Sequence, residues 1–373
     1  MLNTNKKFKI ALVGDCLSKG GAEKVHAILS IYFKKQGFEV YNSILVDAVT
    51  YDYSGSLLNL GKVKPNSSSI IRKVYRFRAL QKWVNSNDFD CLIDFRMRPS
   101  FIFEFILSRM IYPRNTIYTV HSSVLEFYFP KNILLSKLIY NKKKIAAVAN
   151  AIQKKIVKRY SLNKVETIYN PSNLDEIAIL KEDKIWERNY VLTVGSMESP
   201  IKQIDKLIEA YSISELPKQN IQLIILGEGK YKINYQKLVK KLNLSHLVLF
   251  KGMVLNPFPY YKNAIFYVLS SKYEGLPNAI IESLACETPV VAFDCFSGPR
   301  ELINNNQNGI LVENQNFDKL IEAMNLMVSD VRLYEHCKRN AIKSVKKFSI
   351  NVLGEKWLKY ILGPKTRNSN SLF

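Results

Sequence analysis

Short apolar runs alternate with helical stretches along this chain, and the alternation starts twice. The first series opens with an apolar run at residues 8–13, a glycine-containing loop and a helical pattern over residues 22–35. A charged stretch at residues 181–188 interrupts the pattern, which restarts with an apolar run at residues 190–194. Strands that are separated by helices pair in parallel and are covered by those helices, so the sequence predicts an α/β protein with two βα domains.

The chain of 373 residues is long enough for two domains that each bury a core. The predicted strands are residues 8–13, 39–46, 91–95, 116–120, 145–148, 165–168, 190–194, 221–226, 248–250, 265–269, 289–293 and 309–312. We predict an N-terminal domain at residues 1–172, a C-terminal domain at 173–348 and a last helix at 349–363. The polar residues 364–373 are expected to form a disordered tail.

Residues 271–287, SKYEGLPNAIIESLACE, place two carboxylates around the start of a predicted helix. Gly275 and Pro277 are turn and helix-start residues, and the apolar residues that follow recur with helical spacing, so the helix should begin near Pro277. Glu274 then lies in the loop, and Glu282 lies about one turn into the helix. A helix N-terminus attracts phosphate, and carboxylates accept hydrogen bonds from hydroxyl groups. This combination suits a nucleotide sugar.

Polar and glycine residues follow several predicted strands, at residues 14–21, 94–99 and 121–123. Ligands of parallel sheets bind beyond the carboxyl ends of the strands, so these segments are candidates for a binding site. His121 ends one strand in such a position, where a histidine is either structural or functional. Gly20 and Gly21 either allow a ligand to approach the backbone closely or form a plain βα turn.

The net charge of +22 is concentrated in the first half of the chain. Residues 1–170 contain 28 Lys+Arg and 11 Asp+Glu, which gives +17, and the remaining residues contain 26 and 21, which gives +5. This charge favours an anionic partner, either a membrane surface or a nucleic acid. A solvated, lysine-rich surface is the alternative explanation of the same composition.

Two basic segments of the first half, residues 69–84 and 131–159, have amphipathic patterns. In the first segment the apolar residues share one helical face, which contains Ile70, Val74, Phe77 and Val84. The basic residues lie elsewhere on the helix, at Arg72, Arg76, Arg78 and Lys82. Both segments could lie on an anionic membrane leaflet. Ordinary surface helices that pack their apolar side on a sheet would show the same pattern.

Several motifs and segments are absent from the sequence, and their absence limits the functions that we expect. HxxxH and HExxH motifs and aspartate clusters are absent, so we expect no bound metal. The N-terminal apolar run is too short for a signal peptide, and no apolar run reaches the length of a transmembrane helix. The five scattered cysteines predict reduced thiols in a cytosol.

Seven motifs together resemble the family 4 glycosyltransferases of the GT-B fold. They are GGAE at 20–23, His121, YNP at 169–171, VGS at 194–196 with Lys202, GEG at 227–229, FKG at 250–252, and YEGLPNAIIESLACETPVVA at 273–292. The resemblance is to the group that builds bacterial surface polysaccharides such as O-antigen, capsule, lipopolysaccharide and N-glycan. It implies two Rossmann-like domains facing across a cleft, the first for the acceptor and the second for the nucleotide sugar, with the C-terminal helix packing back toward the first.

The resemblance also implies a role for each matching residue. Glu274 would contact hydroxyls of the donor sugar, Glu282 would hold the ribose, and Lys202 would neutralise the diphosphate. His121 would face the reaction centre from the first domain, so the predicted catalytic residues are His121, Lys202 and Glu274. The predicted donor-binding residues are Gly20, Gly21, Ser196, Lys202, Gly252, Met253, Glu274, Gly275, Leu276, Pro277, Asn278 and Glu282.

The chain departs from the family pattern in the loop that should bind the diphosphate. Ser196 stands where the family usually has arginine, and Lys202 lies one residue later than in the commonest pattern. Two alternatives could supply the missing contact. One is Arg300 in the GPRE segment, and the other is the N-terminus of the helix that begins near Pro277.

By the same resemblance we expect the retaining transfer of a hexose or an N-acetylhexosamine from a UDP-sugar, without a cofactor or a metal ion. The expected acceptor is a saccharide linked to polyprenyl diphosphate or to lipid A. The protein is then expected to be cytoplasmic and peripheral on the inner face of the cytoplasmic membrane. No side chain is expected to act as nucleophile, and the departing β-phosphate would take the proton of the acceptor.

Three other classes of protein are alternatives to this expectation. A nucleotide-sugar epimerase or a glycogen synthase-like enzyme would have the same GT-B fold. A nucleic-acid-binding protein would explain the basic first half, but helix-turn-helix, zinc-finger and RNP signatures are absent, so we expect no nucleic acid partner. A glycosidase is disfavoured because Glu274 and Glu282 are expected to contact different parts of the donor rather than to flank one bond.

Overall fold

The computed structural model of this chain describes residues 7–64, 66 and 68–363. The predicted tail at residues 364–373 lies outside the described residues. The chain divides into two units, of which the first comprises Met1–Pro171 and Ile350–Phe373 and the second comprises Ser172–Ser349. Each unit is built on one parallel β-sheet.

The first unit contains a seven-stranded sheet in the order β3-β2-β1-β4-β5-β6-β7, with every neighbouring pair parallel. The strands are β1 (Lys9–Gly14), β2 (Glu39–Ile44), β3 (Ser56–Asn59), β4 (Cys91–Asp94), β5 (Thr116–Val120), β6 (Lys144–Ala147) and β7 (Val165–Thr167). Strands β1, β4 and β5 lie at the centre and are almost fully buried, as expected when helices cover both faces of a sheet.

The helices of this part of the chain are α1 (Gly21–Lys35), α2 (Ser69–Asn87), α3 (Phe101–Ile106), α4 (Ile133–Tyr140) and α5 (Asn150–Tyr160). Helix α3 continues directly into a π-helical turn, Leu107–Ile111. Both basic segments noted in the sequence are therefore ordered: the first forms α2, and the second forms α4, β6 and α5 in succession.

The second unit contains a six-stranded parallel sheet in the order β10-β9-β8-β11-β12-β13. The strands are β8 (Tyr190–Val194), β9 (Gln222–Leu226), β10 (Val248–Gly252), β11 (Tyr267–Leu269), β12 (Val290–Phe293) and β13 (Gly309–Val312). The helices of this unit are α6 (Leu174–Leu180), α7 (Ile204–Ile213), α8 (Lys232–Lys241), α9 (Phe258–Asn263), α10 (Asn278–Ala285), α11 (Pro299–Leu302), α12 (Phe317–Ser329) and α13 (Val331–Val345).

The last helix, α14 (Ile350–Leu362), belongs to the first unit. It packs on α1, where the ring of Tyr32 lies so close to Gly354 that a Cβ there would be 2.4 Å from it. Trp357 joins the same core as the central strands, and the Lys144 ammonium donates to the carbonyl of Tyr360 at 2.7 Å. The C-terminal helix thus returns to the first domain, as predicted.

Each predicted strand is present, with ends shifted by a residue or two, and the structure adds one that was not expected. Strand β3 contains four residues, SLLN, that are exposed or only partly buried. It therefore lacks the buried apolar run on which the prediction of strands depends. In the described part of the chain, no helix combines the length and the apolarity needed to cross a membrane.

Candidate functional site

Helix α10 begins directly after Pro277, as the sequence predicts. Pro277 occupies the N-cap position and supplies no capping side chain. The helix is held by its apolar side, because Ile280, Ile281 and Leu284 are buried in the second unit. The segment that enters the helix comes from the carboxyl end of β11, so the positive end of the α10 dipole lies at the edge of the sheet where ligands bind.

Lys202 and Glu274 form an ion pair at this edge, with Nζ of Lys202 2.6 Å from Oε1 of Glu274. Lys202 ends a short 3-10 turn after β8, and Glu274 lies in the loop after β11. Strands β8 and β11 are neighbours in the sheet, so their carboxyl ends bring the two loops together. The Lys202 side chain is 27% exposed and that of Glu274 is 12% exposed, so the pair is accessible from solvent.

Three glycine-containing loops pack closely beside this pair. The Gly227 N–H, after β9, donates to the carbonyl of Gly252 at the end of β10, at 2.7 Å. Gly227 has a φ of +136°, and a Cβ there would lie 2.0 Å from the carbonyl oxygen of Gly195 after β8, so the position requires glycine. The side chain of Lys202 passes over Gly195, and Met253 follows Gly252 as a half-exposed residue.

The loop after β12 supports the turn that contains Glu274. The Ser297 hydroxyl donates to the carbonyl of Gly275 at 2.7 Å. Gly298 has a φ of +98°, and a Cβ there would lie 2.4 Å from Cδ of Pro277. Any side chain at position 298 would therefore press on the turn between Glu274 and α10.

Ser196 and Arg300, which both bear on the predicted diphosphate contact, each have a hydrogen-bond partner in the second unit. The Ser196 hydroxyl accepts the backbone N–H of Glu198 at 3.3 Å. The Arg300 guanidinium donates to both carboxylate oxygens of Asp294, and its side chain is 78% exposed. The structure thus pairs Arg300 with a carboxylate six residues before it in the chain.

Glu282 lies in the first turns of α10 and is almost buried, with 8% of its surface exposed. The Tyr261 hydroxyl donates to Oε2 of Glu282 at 3.3 Å. The ring of Tyr267 lies 5.7 Å from that of Tyr261, and burial together with the charges of Glu274 and Glu282 raises the pKa of Tyr267. Both glutamates are therefore within electrostatic reach of one buried phenol.

In the first unit, Gly20 is the N-cap residue of α1 and Gly21 is its first residue. The carboxylate of Glu23 folds back over Gly20, because a Cβ on Gly20 would lie 1.8 Å from Oε2 of Glu23. Burial raises the pKa of both Glu23 and the nearby Asp15. The start of α1 therefore already faces a carboxylate, and the predicted approach of donor phosphate to Gly20 and Gly21 stays a prediction.

His121 follows β5, and its ring centre lies 5.8 Å from that of Phe95. Neither ring nitrogen of His121 has a hydrogen-bond partner among the described residues. Burial, and to a smaller extent the charge of Arg98, lowers the pKa of His121 to about 3. A neutral imidazole with two unused nitrogens can donate one hydrogen bond and accept another, which suits a hydroxyl group.

A buried charge cluster occupies the predicted ligand-binding segment after β4. The Arg96 guanidinium donates to Asp94 at 2.7 Å and to Glu104 at 3.1 Å. Arg98 donates to backbone carbonyls, including that of Thr119 at 2.8 Å. These charged side chains are at most 4% exposed, so they hold the loop in place rather than face solvent.

Sequence reasoning missed several residues that lie among the predicted ones. Lys232 pairs with Glu228 of the GEG motif at 2.6 Å, and Oε1 of Glu228 would lie 2.7 Å from a Cβ on Gly252. The spacing of four residues between glutamate and lysine was the available signal, although Glu228 lies in the loop before α8 rather than on the helix. Tyr261 and Tyr267 gave no such signal, because a tyrosine in an apolar segment is expected from core packing alone.

Comparisons with known proteins agree with this architecture. Residues 176–344 match the family model described as glycosyl transferases group 1. The N-acetylgalactosamine-N,N'-diacetylbacillosaminyl-diphospho-undecaprenol 4-alpha-N-acetylgalactosaminyltransferase of Campylobacter jejuni is 29% identical in an alignment of 362 residues, which covers 93% of this chain and 97% of that protein. The amylovoran biosynthesis glycosyltransferase AmsD of Erwinia amylovora is 21% identical over 94% of this chain and 98% of that protein. The crystal structure of Anabaena HepE in complex with UDP and glucose has a TM-score of 0.77 at 18% identity, covering 96% of this chain and 100% of that one.

Two parallel-sheet βα units with this succession of elements define the GT-B fold, and the predicted fold class is confirmed by the structural likeness. The chain contains a domain of the glycosyl transferases group 1 family. The predicted resemblance to bacterial polysaccharide glycosyltransferases is likewise confirmed.

Proposed function

We propose that this glycosyltransferase moves a hexose or an N-acetylhexosamine from a UDP-sugar to a lipid-linked saccharide, in the synthesis of a bacterial surface polysaccharide or lipopolysaccharide. The transfer retains the configuration at the anomeric carbon and needs no metal ion. The observation that carries the proposal is the ion pair between Lys202 and Glu274, with Nζ and Oε1 2.6 Å apart. This pair lies beside Gly195 and the start of α10, within a group 1 glycosyltransferase domain.

The names of the relatives support both the acceptor and the donor of the proposed reaction. The Campylobacter jejuni relative is named as acting on a saccharide linked to diphospho-undecaprenol, and it is similar to this chain over nearly its whole length. The structural neighbour HepE was crystallised with UDP and glucose. These names favour a lipid-linked diphosphate acceptor and a UDP-sugar donor for this chain.

The site offers a group for each part of the donor. Lys202 is assigned to the diphosphate, which it would neutralise together with the positive end of the α10 dipole. Glu274 is assigned to the donor sugar and would accept hydrogen bonds from its hydroxyl groups. Glu282 is assigned to the ribose, with Tyr261 holding its carboxylate in place.

The proposed transfer breaks the bond between the anomeric carbon and the β-phosphate oxygen, and the bonding electrons stay on that oxygen. The hydroxyl oxygen of the acceptor forms the new bond on the same face of the sugar. Its proton passes to the departing phosphate oxygen, so no side chain has to act as a nucleophile. Lys202 stabilises the charge that develops on the phosphate, which is an effect realised mainly in the transition state.

The proposal includes attachment to an anionic membrane through one surface of the first unit. Three helical segments that contact one another, α2, α3 with its π-turn and α4, expose large apolar side chains. We call these residues the basic apolar surface: Ile70, Ile71, Val74, Ile102, Met110, Ile133, Leu134 and Leu138. Basic residues lie among them, and the single acidic residue of these segments, Glu104, is buried against Arg96.

The structure buries only part of the apolar face that the sequence predicts for α2. Val84 is buried and Phe77 packs on Phe103, with ring centres 5.8 Å apart, but Ile70 is 77% exposed and Val74 is 44% exposed. The C-terminal half of α2 is therefore a surface helix that packs on its own unit. The N-terminal half keeps its apolar side in solvent, as an interfacial helix does.

A donor screen tests the proposed reaction. Purified protein is incubated with an undecaprenyl-diphosphate-linked saccharide and one of UDP-Gal, UDP-GalNAc, UDP-Glc, UDP-GlcNAc or GDP-Man, and the release of nucleotide and the product configuration are measured. We expect acceptor-dependent turnover with a UDP-sugar and an α-linked product from an α-linked donor. Lys202→Met should lower kcat by about 10²- to 10³-fold, because a developing negative charge loses its counter-charge.

Lys206→Met is the matched control, because Lys206 is an exposed lysine of the same unit that pairs with Glu209 at 2.8 Å. It should leave kcat unchanged. Turnover with GDP-Man alone, release of nucleotide without an acceptor, or an inverted product would each contradict the proposal.

A further inference from the structure

The ion pair between Lys202 and Glu274 joins two residues with different predicted partners on the donor. Lys202 is assigned to the diphosphate, and Glu274 is assigned to the sugar. In the structure each satisfies the other, with Nζ and Oε1 2.6 Å apart. A donor that uses both residues must therefore first separate them.

The backbone holds both residues so that this separation needs side-chain movement alone. The Ser270 hydroxyl donates to the carbonyl of Lys202 at 2.8 Å, and the Lys272 N–H donates to the carbonyl of Ile201 at 2.9 Å. The turn that carries Glu274 is held through the hydrogen bond from Ser297 to Gly275. The backbone around both residues is thus fixed, and only the side chains that carry the ammonium and the carboxylate have to move apart.

We propose that this ion pair makes the site select the intact nucleotide sugar over the free nucleoside diphosphate. The inference rests on the proposed function. An intact donor offers phosphate oxygens to Lys202 and hydroxyl groups to Glu274, so both residues exchange one partner for another. A free nucleoside diphosphate offers phosphate alone, so it leaves the Glu274 carboxylate without a partner beside an anion.

The same exchange favours release of the product nucleotide. Once the sugar has left, the hydroxyl groups that bound Glu274 are gone. The carboxylate then competes with the diphosphate for the ammonium of Lys202, because the backbone segments that carry both side chains are still in place. Re-formation of the pair raises the dissociation rate of the nucleotide.

Isothermal titration calorimetry with UDP and with the UDP-sugar identified in the donor screen tests this inference without depending on turnover. Glu274→Gln keeps the shape of the side chain but removes the competing charge. We expect it to bind UDP about two- to fivefold more tightly than the wild type, the range typical of a partly exposed ion pair. Its affinity for the UDP-sugar should not rise, so the preference for the intact donor falls.

A double-mutant cycle with Lys202→Met separates the ion pair from a general effect of charge. If Glu274 acts by competing for Lys202, the gain in UDP affinity from Glu274→Gln should disappear in the Lys202→Met background. If Glu274 merely repels the diphosphate, the gain should persist there, and the inference is wrong. Glu287→Gln is the control, because it removes the pair with Lys181, at 2.6 Å, and should leave UDP affinity unchanged.

The outcomes distinguish the two proposals. A wild-type protein that binds neither UDP nor any UDP-sugar overturns the proposed function. A wild-type protein that turns over a UDP-sugar, with a Glu274→Gln variant that binds UDP no more tightly, overturns this inference alone. Circular dichroism of each variant shows whether it is folded. If Glu274→Gln does not fold, Glu274→Asp provides a second test, because its shorter side chain weakens the ion pair and keeps the charge.

Discussion

His121 is partly buried as a residue, but both of its ring nitrogens are buried and have no partner in the described part of the chain. Leaving a buried polar group without a partner costs stability, so such groups are often completed by a ligand. The low pKa of about 3 keeps the ring neutral throughout the neutral pH range. His121 is therefore suited to exchange hydrogen bonds with a hydroxyl group, and is unsuited to carry a positive charge.

Two measurements test this reading of His121. The imidazole proton resonances assigned to it by comparison with His121→Asn should not shift between pH 5.5 and pH 8, because the folded-state pKa lies well below that window. The His121→Asn variant should lower kcat/KM by about tenfold, which corresponds to the loss of one hydrogen bond. A titration of His121 near pH 6.5 would show that its ring is hydrated and would remove the basis for the assigned role.

At the scale of helices, the basic apolar surface combines exposed apolar side chains with a lack of acidic ones. Ile70 on α2 and Leu134 on α4 are 77% and 75% exposed, and neither helix carries an acidic residue. Apolar side chains gain free energy on entering a membrane interface, and basic residues among them add attraction to anionic lipids. Both effects would favour binding of this surface to an anionic leaflet.

The double variant Ile70→Glu and Leu134→Glu should weaken binding to vesicles of phosphatidylcholine and phosphatidylglycerol by about tenfold or more, since each site loses apolar burial and gains repulsion. Co-sedimentation measures this binding. Ile233→Glu is the matched control, because Ile233 is 63% exposed on the basic helix α8 of the second unit and lies outside the surface. Equal sedimentation of the double variant and the wild type would exclude this surface from membrane attachment.

Elements with strong periodicity were predictable, and pairings between distant elements were not. The start of α10 next to Pro277 follows from local turn chemistry and apolar spacing, and in the structure the helix begins directly after this residue. The pairing of Lys202 with Glu274 depends on β8 and β11 being neighbours, and the order of strands in a sheet is not written in the local pattern. The burial of Arg96 and Arg98 was unpredictable for a related reason, since charged residues after a strand usually face solvent.

For the whole molecule, buried histidines predict how stability depends on pH. His26 is fully buried, its Nε2 lies 3.0 Å from Oδ1 of Asn42, and burial lowers its pKa to about 4. Below the unfolded pKa of about 6.5 the unfolded chain binds a proton that the folded chain does not, so stability falls as the pH drops from about 6.5 toward 4. His121 contributes in the same direction.

We expect His26 to account for about 2 kcal/mol of the free energy of unfolding lost between pH 7 and pH 5. Thermal unfolding of the wild type and of His26→Gln at both pH values measures this difference. The comparison isolates His26 because Asp15 and Glu23, whose raised pKa values act in the opposite sense, are present in both proteins. An equal loss in the two proteins would mean that His26 is hydrated or protonated in the folded state.

The charge cluster of Asp94, Arg96 and Glu104 limits how the first unit can change over evolutionary time. Removing Arg96 alone would leave two carboxylates buried without their counter-charge, and removing one partner of a buried pair typically costs about 3–5 kcal/mol. That cost is a large share of the stability of an ordinary domain. Descendants of this chain should therefore inherit the three residues as a set, or exchange them together for apolar ones, while the exposed helices around them diverge freely.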